Sequence, residues 1–219
     1  MLQASGVLRH RKQEIDSKTM IDVAARIIDL YRRHAGAWTT ARGTVLSERA
    51  WIERFANMVR RGAAVLDIGC GSGEPIARFL AARGHPVTGV DGSPEMIALF
   101  RANLPGETAD VADMRSLKLD RRFGGLIAWD SFFHLAPHDQ RMMFPIFRDH
   151  AEPEAPLLFT SGPAFGEAIG TLEGEPLYHA SLDPDEYRLL LDRNGFDVVA
   201  HVAEDPDCGG RTVWLARQR

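Results

Sequence analysis

Val65-Leu66-Asp67-Ile68-Gly69-Cys70-Gly71-Ser72-Gly73 decides the fold. A short apolar run of β-branched and aliphatic residues breaks into a glycine-rich turn, and residues 74–83 then carry helical spacing, so the stretch reads as a buried strand, a tight turn and a helix. Glycines in such a turn accept positive φ and let a ligand lie against bare backbone. The pattern repeats outward. Short apolar runs at 86–90, 108–111, 125–129 and 157–160 alternate with helix-like segments at 94–103 and 138–150, which is how parallel strands covered on both faces read. A helix at 184–194 stops at Gly195. Strands at 196–203 and 211–216 follow, joined by a connection short enough for an antiparallel hairpin. These seven strands predict a doubly wound α/β fold, a mostly parallel seven-stranded sheet with an antiparallel C-terminal edge strand.

Upstream of the first strand, Met20, Ile21, Ala24, Ile27, Ile28 and Tyr31 fall on one face of a helix over residues 17–34, which Gly36 ends. A second helix runs over 47–59. Residues 1–60 therefore read as an N-terminal helical lid or appendage to a core at 61–219. With 219 residues, of which 45% are apolar, one domain can bury about 70% of its chain surface, so disorder is excluded as the main state. The 26 basic and 30 acidic side chains leave a net charge of -4, a poor match to phosphate-neutralising nucleic-acid binders. The opening run Leu8-Arg9-His10-Arg11-Lys12 is too polar for a signal peptide. No stretch of about 18 uninterrupted apolar residues calls for a membrane. Two cysteines, Cys70 and Cys208, suit a reducing compartment. These features predict a cytoplasmic protein.

The ligand of the glycine turn follows from charge. A dinucleotide fingerprint needs its third glycine at position 74, where Glu74 stands, and Asp67 adds a second carboxylate at the mouth of the turn. A pyrophosphate would be repelled. S-adenosylmethionine has no phosphate and carries an ammonium and a sulfonium, which carboxylates attract. Asp91, followed by Gly92, ends the next strand 22 residues after Gly69, where it can accept hydrogen bonds from both ribose hydroxyls.

With these residues the sequence resembles the class I S-adenosylmethionine-dependent methyltransferases of small-molecule type, over about residues 64–160. The resemblance implies that Asp67, Gly69, Cys70, Gly71 and Gly73 wrap the methionine part of the cofactor and that Asp91 holds the ribose. It further implies that Asp113 binds the adenine amine while Met114 packs on the ring. Tyr31, Trp38 and Arg42 resemble a lid in which aromatic residues border the cofactor and a basic residue pairs with its carboxylate.

Trp129 ends the fourth strand, and Asp130, Phe132, Phe133 and His134 follow it, where the carboxyl end should face the reacting methyl; Trp129 is expected to border the cofactor and Phe132 and Phe133 the acceptor pocket. Asp130 and His134 are the candidate catalytic residues. His134 has two readings: a general base, since an unperturbed imidazole titrates near pH 6.5, or a packed histidine with one ring hydrogen bond, which is the favoured one. The long connection at 161–183 mixes glycine with aromatics, and Phe165, Tyr178 and His179 are expected to shape the acceptor pocket with Tyr31. No metal-ligand spacing occurs, so no metal is expected. The predicted function is methyl transfer from S-adenosylmethionine, with S-adenosylhomocysteine as product, to an oxygen, nitrogen or carbon of a small molecule. The alternative is a non-catalytic scaffold subunit that binds the cofactor.

Overall fold

A computed structural model of the chain describes residues 17–219, and the basic run at 8–12 lies outside them. In chain order the elements are α1 Ser17–Ala25, α2 Ile27–Arg42, α3 Arg49–Met58, β1 Val65–Ile68, α4 Ile76–Ala82, β2 Val87–Asp91, α5 Pro94–Asn103, β3 Thr108–Val111, β4 Gly125–Ala128, α6 Pro137–His150, β5 Pro156–Ser161, β6 Gly166–Leu172, β7 Glu175–Ser181, α7 Pro184–Arg193, β8 Phe196–Asp205 and β9 Arg211–Gln218.

Seven strands form one sheet in the order β3-β2-β1-β4-β5-β9-β8. The first five pair in parallel, and β9 is antiparallel to both β5 and β8. The antiparallel strand inserts one place in from the rim, leaving β8 outermost. Strands β1, β4 and β5 are buried along their whole length, because their alternate side chains enter two separate cores. Val65, Ile127 and Leu158 face a core with Phe55 of α3 and Leu80 of α4, whereas Leu66, Leu126, Leu157 and Phe159 face one with Phe144, Phe147 and Tyr187. The strand order reverses between β1 and β4, and a ligand crevice in this architecture opens beyond the carboxyl ends of the strands at that point.

Two regions depart from the sequence reading. The helix expected over 17–34 breaks at Arg26 (φ -95, ψ 2) into α1 and α2, and α2 passes Gly36 to end at Gly43 (φ 61). A glycine inside a helix costs about 1 kcal/mol; burial of Ile27, Leu30 and Ala35 outweighs it, and the helix only kinks at His34 (φ -112, ψ 16). The connection at 161–183 is not irregular. It folds into a separate antiparallel hairpin, β6 with β7, turned at Glu173 (φ 50) and Gly174 (φ 81), the doubly positive turn that suits tight hairpins. Leu172 and Leu177 of the hairpin pack on Ile27 and Leu30 of α2. Helix and hairpin together roof the crevice. Among the described residues no helix is long and apolar enough to cross a membrane.

Candidate active site

The turn after β1 is built by backbone first. The N–H groups of Gly69 and Cys70 both donate to the Val90 carbonyl at 2.8 and 3.1 Å, which ties the turn to the end of β2. Gly69 has φ 76, and a Cβ there would collide with Ser131, whose hydroxyl donates to the Ile68 carbonyl at 2.7 Å. Only glycine fits between β1 and the segment after β4.

A cavity of about 300 Å3 opens above this turn. The structure brings Tyr31, Trp38, Arg42, Asp67, Gly69, Cys70, Gly71, Gly73, Asp91, Gly92, Asp113, Met114, Trp129, Asp130 and His134 onto its wall. Asp67 is buried, and no described group hydrogen-bonds its carboxylate. Burial, and then the neighbouring Asp91 carboxylate, push its pKa up to about 7. Asp91 is anchored: its Oδ2 accepts from the Gly71 N–H at 3.0 Å and its Oδ1 from the Ser93 N–H at 2.8 Å. Burial raises its pKa, and these two donors oppose the shift. Asp113 accepts from the Arg115 guanidinium through both oxygens, at 2.6 to 3.0 Å. The Cys70 thiol is buried, and burial raises its pKa well above the ordinary range.

The roof contributes a second set of contacts. Tyr31 Oη and His134 Nε2 lie 2.9 Å apart, and His134 Nδ1 lies 2.8 Å from the Tyr178 carbonyl oxygen. A carbonyl only accepts, so Nδ1 carries the proton and Nε2 accepts from the Tyr31 hydroxyl. Burial, then the nearby His179, depress the His134 pKa to about 3, and the ring is neutral. Arg42 is held by the fully buried Glu48 carboxylate and also donates to the Val45 carbonyl at 3.3 Å. Part of its guanidinium is thus committed within the protein. Asp130, at φ 48, accepts from Arg211 Nε and Nη2 at 2.8 to 3.0 Å.

Three residues expected at the acceptor pocket lie elsewhere. Phe132 points into the aromatic core, with ring centroids of Phe144, Phe147, Phe159 and Tyr187 at 5.3 to 6.1 Å. The 3-10 turn Phe132–His134 sends its successive side chains to different sides. Phe165 is 63% exposed and lines neither the cavity above the glycine turn nor the one adjoining it. The Tyr178 ring is buried, with its hydroxyl donating to Glu167 at 2.7 Å; strand alternation directs Leu177 and His179 to the crevice instead. Only the Tyr178 backbone carbonyl reaches the site. Phe133 and His179 do line a second, adjoining cavity.

Sequence reasoning missed Arg211, whose partner Asp130 is 81 positions away, and Ser131, whose one local signal was its place between Asp130 and Phe132. Trp129 keeps a buried indole N–H without a partner among the described residues.

A family model described as a methyltransferase domain matches residues 65–154. Over that segment the chain is similar to a methyltransferase domain. Solved structures show the same fold. The glycopeptide N-methyltransferase MtfA, complexed with S-adenosyl-L-homocysteine, is 23% identical with a TM-score of 0.63, over 79% of this chain and 89% of that one. CalS10, an S-adenosylmethionine-bound amino pentose methyltransferase from Micromonospora echinaspora, is 20% identical with a TM-score of 0.66, over 84% and 95%. The magnesium protoporphyrin IX methyltransferase ChlM from Synechocystis PCC 6803, with S-adenosylmethionine bound, is 20% identical with a TM-score of 0.64, over 94% and 98%. No curated protein sequence matches the chain. The matched segment of the methyltransferase domain runs from β1 to just past α6 and so contains the glycine turn, Asp91 and Asp113; helices α1 to α3 and the β6–β7 hairpin fall outside it.

Proposed function

We propose that the protein transfers a methyl group from S-adenosylmethionine to an oxygen, nitrogen or carbon of a small molecule. One observation carries the reading: Asp67 is a buried carboxylate on a cavity wall with no hydrogen-bond partner among the described residues. A buried acid left unpaired costs stability unless a ligand satisfies it. The residues fit a cofactor with a cationic methionine end. Asp67 and the 69–73 turn hold that end, Asp91 keeps acceptor capacity for ribose hydroxyls beyond its two backbone donors, and Met114 covers the adenine, with the remaining lone pairs of Asp113 for its amine. Bound there, the cofactor supplies a methyl already activated on a sulfonium. What the chain must add is alignment and exclusion of water.

In this reading the described part of residues 1–60 forms the lid and 61–219 the core, with Tyr31, Trp38 and Arg42 closing over the cofactor. The fold neighbours that hold S-adenosylmethionine or S-adenosylhomocysteine support the cofactor choice. The two free, buried cysteines support a cytoplasmic setting.

Titration calorimetry with S-adenosylhomocysteine against NAD tests the cofactor: binding of the first alone is expected, and tight NAD binding with no response to S-adenosylhomocysteine would sink the assignment. A screen of small phenols, amines and carboxylates for S-adenosylhomocysteine production then tests turnover. Cofactor binding with no turnover on any acceptor would favour the scaffold alternative.

A further inference from the structure

Beside the first cavity lies a second, shallower and more open to solvent, of about 430 Å3, within the range of small-molecule sites. Tyr31, Trp38, Asp130 and His134 belong to both. The two differ sharply in chemistry. The first is rich in carboxylates, whereas the second has one, Asp130, and both its oxygens are taken by Arg211. The remaining wall is uncharged, with aromatic rings on one side: the Phe133, His134 and His179 rings lie with centroids 4.8 to 5.3 Å apart. An ammonium entering here would lose water without gaining a free carboxylate, and a carboxylate would find the Arg211 guanidinium already paired. A flat neutral molecule meets neither cost and stacks on the rings.

The two imidazoles differ as well. His134 is spent on Tyr31 and the Tyr178 carbonyl. His179, on β7, has the Leu177 carbonyl at one ring nitrogen and no side-chain partner among the described residues, so its other nitrogen is uncommitted; the ring borders the second cavity, one ring away from the shared wall.

Resting on the methyltransferase reading, we infer that the second cavity holds the acceptor as a flat, neutral molecule bearing a phenol-type hydroxyl, and that His179 accepts the hydroxyl proton. A phenol with a pKa near 10 is almost wholly protonated at neutral pH, so a base beside it has work to do. The O–H bond breaks toward the His179 ring nitrogen that does not face the Leu177 carbonyl, the oxygen pair bonds to the methyl carbon, and the carbon–sulfur pair stays on sulfur; the imidazolium then loses that proton to water. The groups facing His179 are His134 of the 3-10 turn, Asp130 after β4 with Arg211 of β9, and Tyr31 of α2. Burial lowers the His179 pKa, while the Leu177 carbonyl and Asp130 favour the protonated ring.

The test uses the full chain saturated with S-adenosylhomocysteine and three probes of one shape: 2-naphthol, 2-naphthoate and 2-naphthylmethylamine. Calorimetry should show 2-naphthol binding at least about tenfold more tightly than either ion, and Phe133→Ala should cost it about tenfold. Equal affinities, or tighter binding of an ion, overturn the acceptor class. Failure of S-adenosylhomocysteine itself to bind would instead overturn the cofactor reading. For the base, His179→Gln should bind 2-naphthol within about threefold of the parent. It should lose about 100-fold in turnover on 2-naphthol, yet less than about tenfold on the more acidic 4-nitrophenol, which needs no base once ionised. An equal loss on both phenols, no loss, or no turnover of either by the parent overturns the proposal. Should His179→Gln fail to fold, Gly170→Ala places a methyl 3.1 Å from His179 Cε1 and should give the same selective loss in smaller degree; an equal loss on both phenols, or none, overturns the base role there too.

Discussion

The Tyr31 hydroxyl donates to His134 Nε2 at 2.9 Å across 103 positions of chain, joining the roof helix to the segment that follows β4. Because the other His134 nitrogen donates to the Tyr178 carbonyl, one neutral imidazole ties together α2, the 3-10 turn Phe132–His134 and β7. Its only free lone pair is already used.

This arrangement gives His134 a structural role that can be measured. His134→Gln should cost about 1–2 kcal/mol at pH 8 and keep most turnover per folded molecule. The folded pKa, about 3, lies below the unfolded value of about 6.5, so the unfolded chain binds more protons between these limits and stability falls as pH drops through them. Denaturant melts from pH 8 to pH 4 should therefore show a shallower acid loss in the variant. A turnover defect of about 100-fold per folded molecule at neutral pH, fading as the acceptor itself ionises at high pH, would restore the general-base reading.

Asp67 makes the opposite trade. Its folded pKa, raised to about 7, means that the ionised carboxylate costs stability as pH rises above its unfolded value near 3.9. Asp67→Asn should accordingly raise the stability of the ligand-free protein by about 1–3 kcal/mol at pH 8 while weakening S-adenosylhomocysteine. In the parent, affinity for S-adenosylhomocysteine should fall as pH drops from 8 to 6, with proton release on binding seen by calorimetry in buffers of different ionisation heat. Binding independent of pH over that range would refute the role.

Asp91 holds both the turn and, in the proposed function, the ribose. Asp91→Ala should weaken S-adenosylhomocysteine by about 2–4 kcal/mol and also cost about 1–2 kcal/mol of folding stability, because the Gly71 and Ser93 N–H groups lose their acceptor. Calorimetry and denaturant melts on the same variant separate the two losses.

The roof is latched at Glu175, which accepts from Arg33 at 2.6 Å and lies 2.6 Å from His34 Nε2. Arg33, then His34, hold its pKa down to about 2. The latch is exposed and contributes little to global stability, but it joins α2 to the hairpin. Glu175→Ala should speed proteolysis within α2, and S-adenosylhomocysteine should restore protection. Identical cleavage of parent and variant, with and without ligand, would count against a lid.

What was legible in the sequence is what local pattern encodes. The apolar run into Gly69, Gly71 and Gly73, and an acid at each of the next two strand ends, placed the crevice because chain order fixes the carboxyl ends of parallel strands. The hairpin escaped notice. Its strands carry Gly170 and Pro176 where β-formers are expected, and the local sign of its turn was the Glu173-Gly174 pair alone. The Asp130–Arg211 pair and the Tyr31–His134 bond escaped for another reason: each joins distant elements, and no local spacing reports on which side of a 3-10 turn a side chain emerges. Phe132 and Phe133, adjacent and chemically alike, end in a core and in a cavity.

Tyr31, Trp38, Asp130 and His134 form a rim shared by two adjoining cavities. Any shift that one occupant imposes on this rim is felt by the other, and such coupling is reciprocal: the factor by which an acceptor tightens the cofactor is the factor by which the cofactor tightens the acceptor. After transfer the rim faces a neutral thioether on one side and a methylated product on the other. The same linkage then applies to the products, so whatever factor the methylated product imposes on the affinity of the thioether, the thioether imposes on the product.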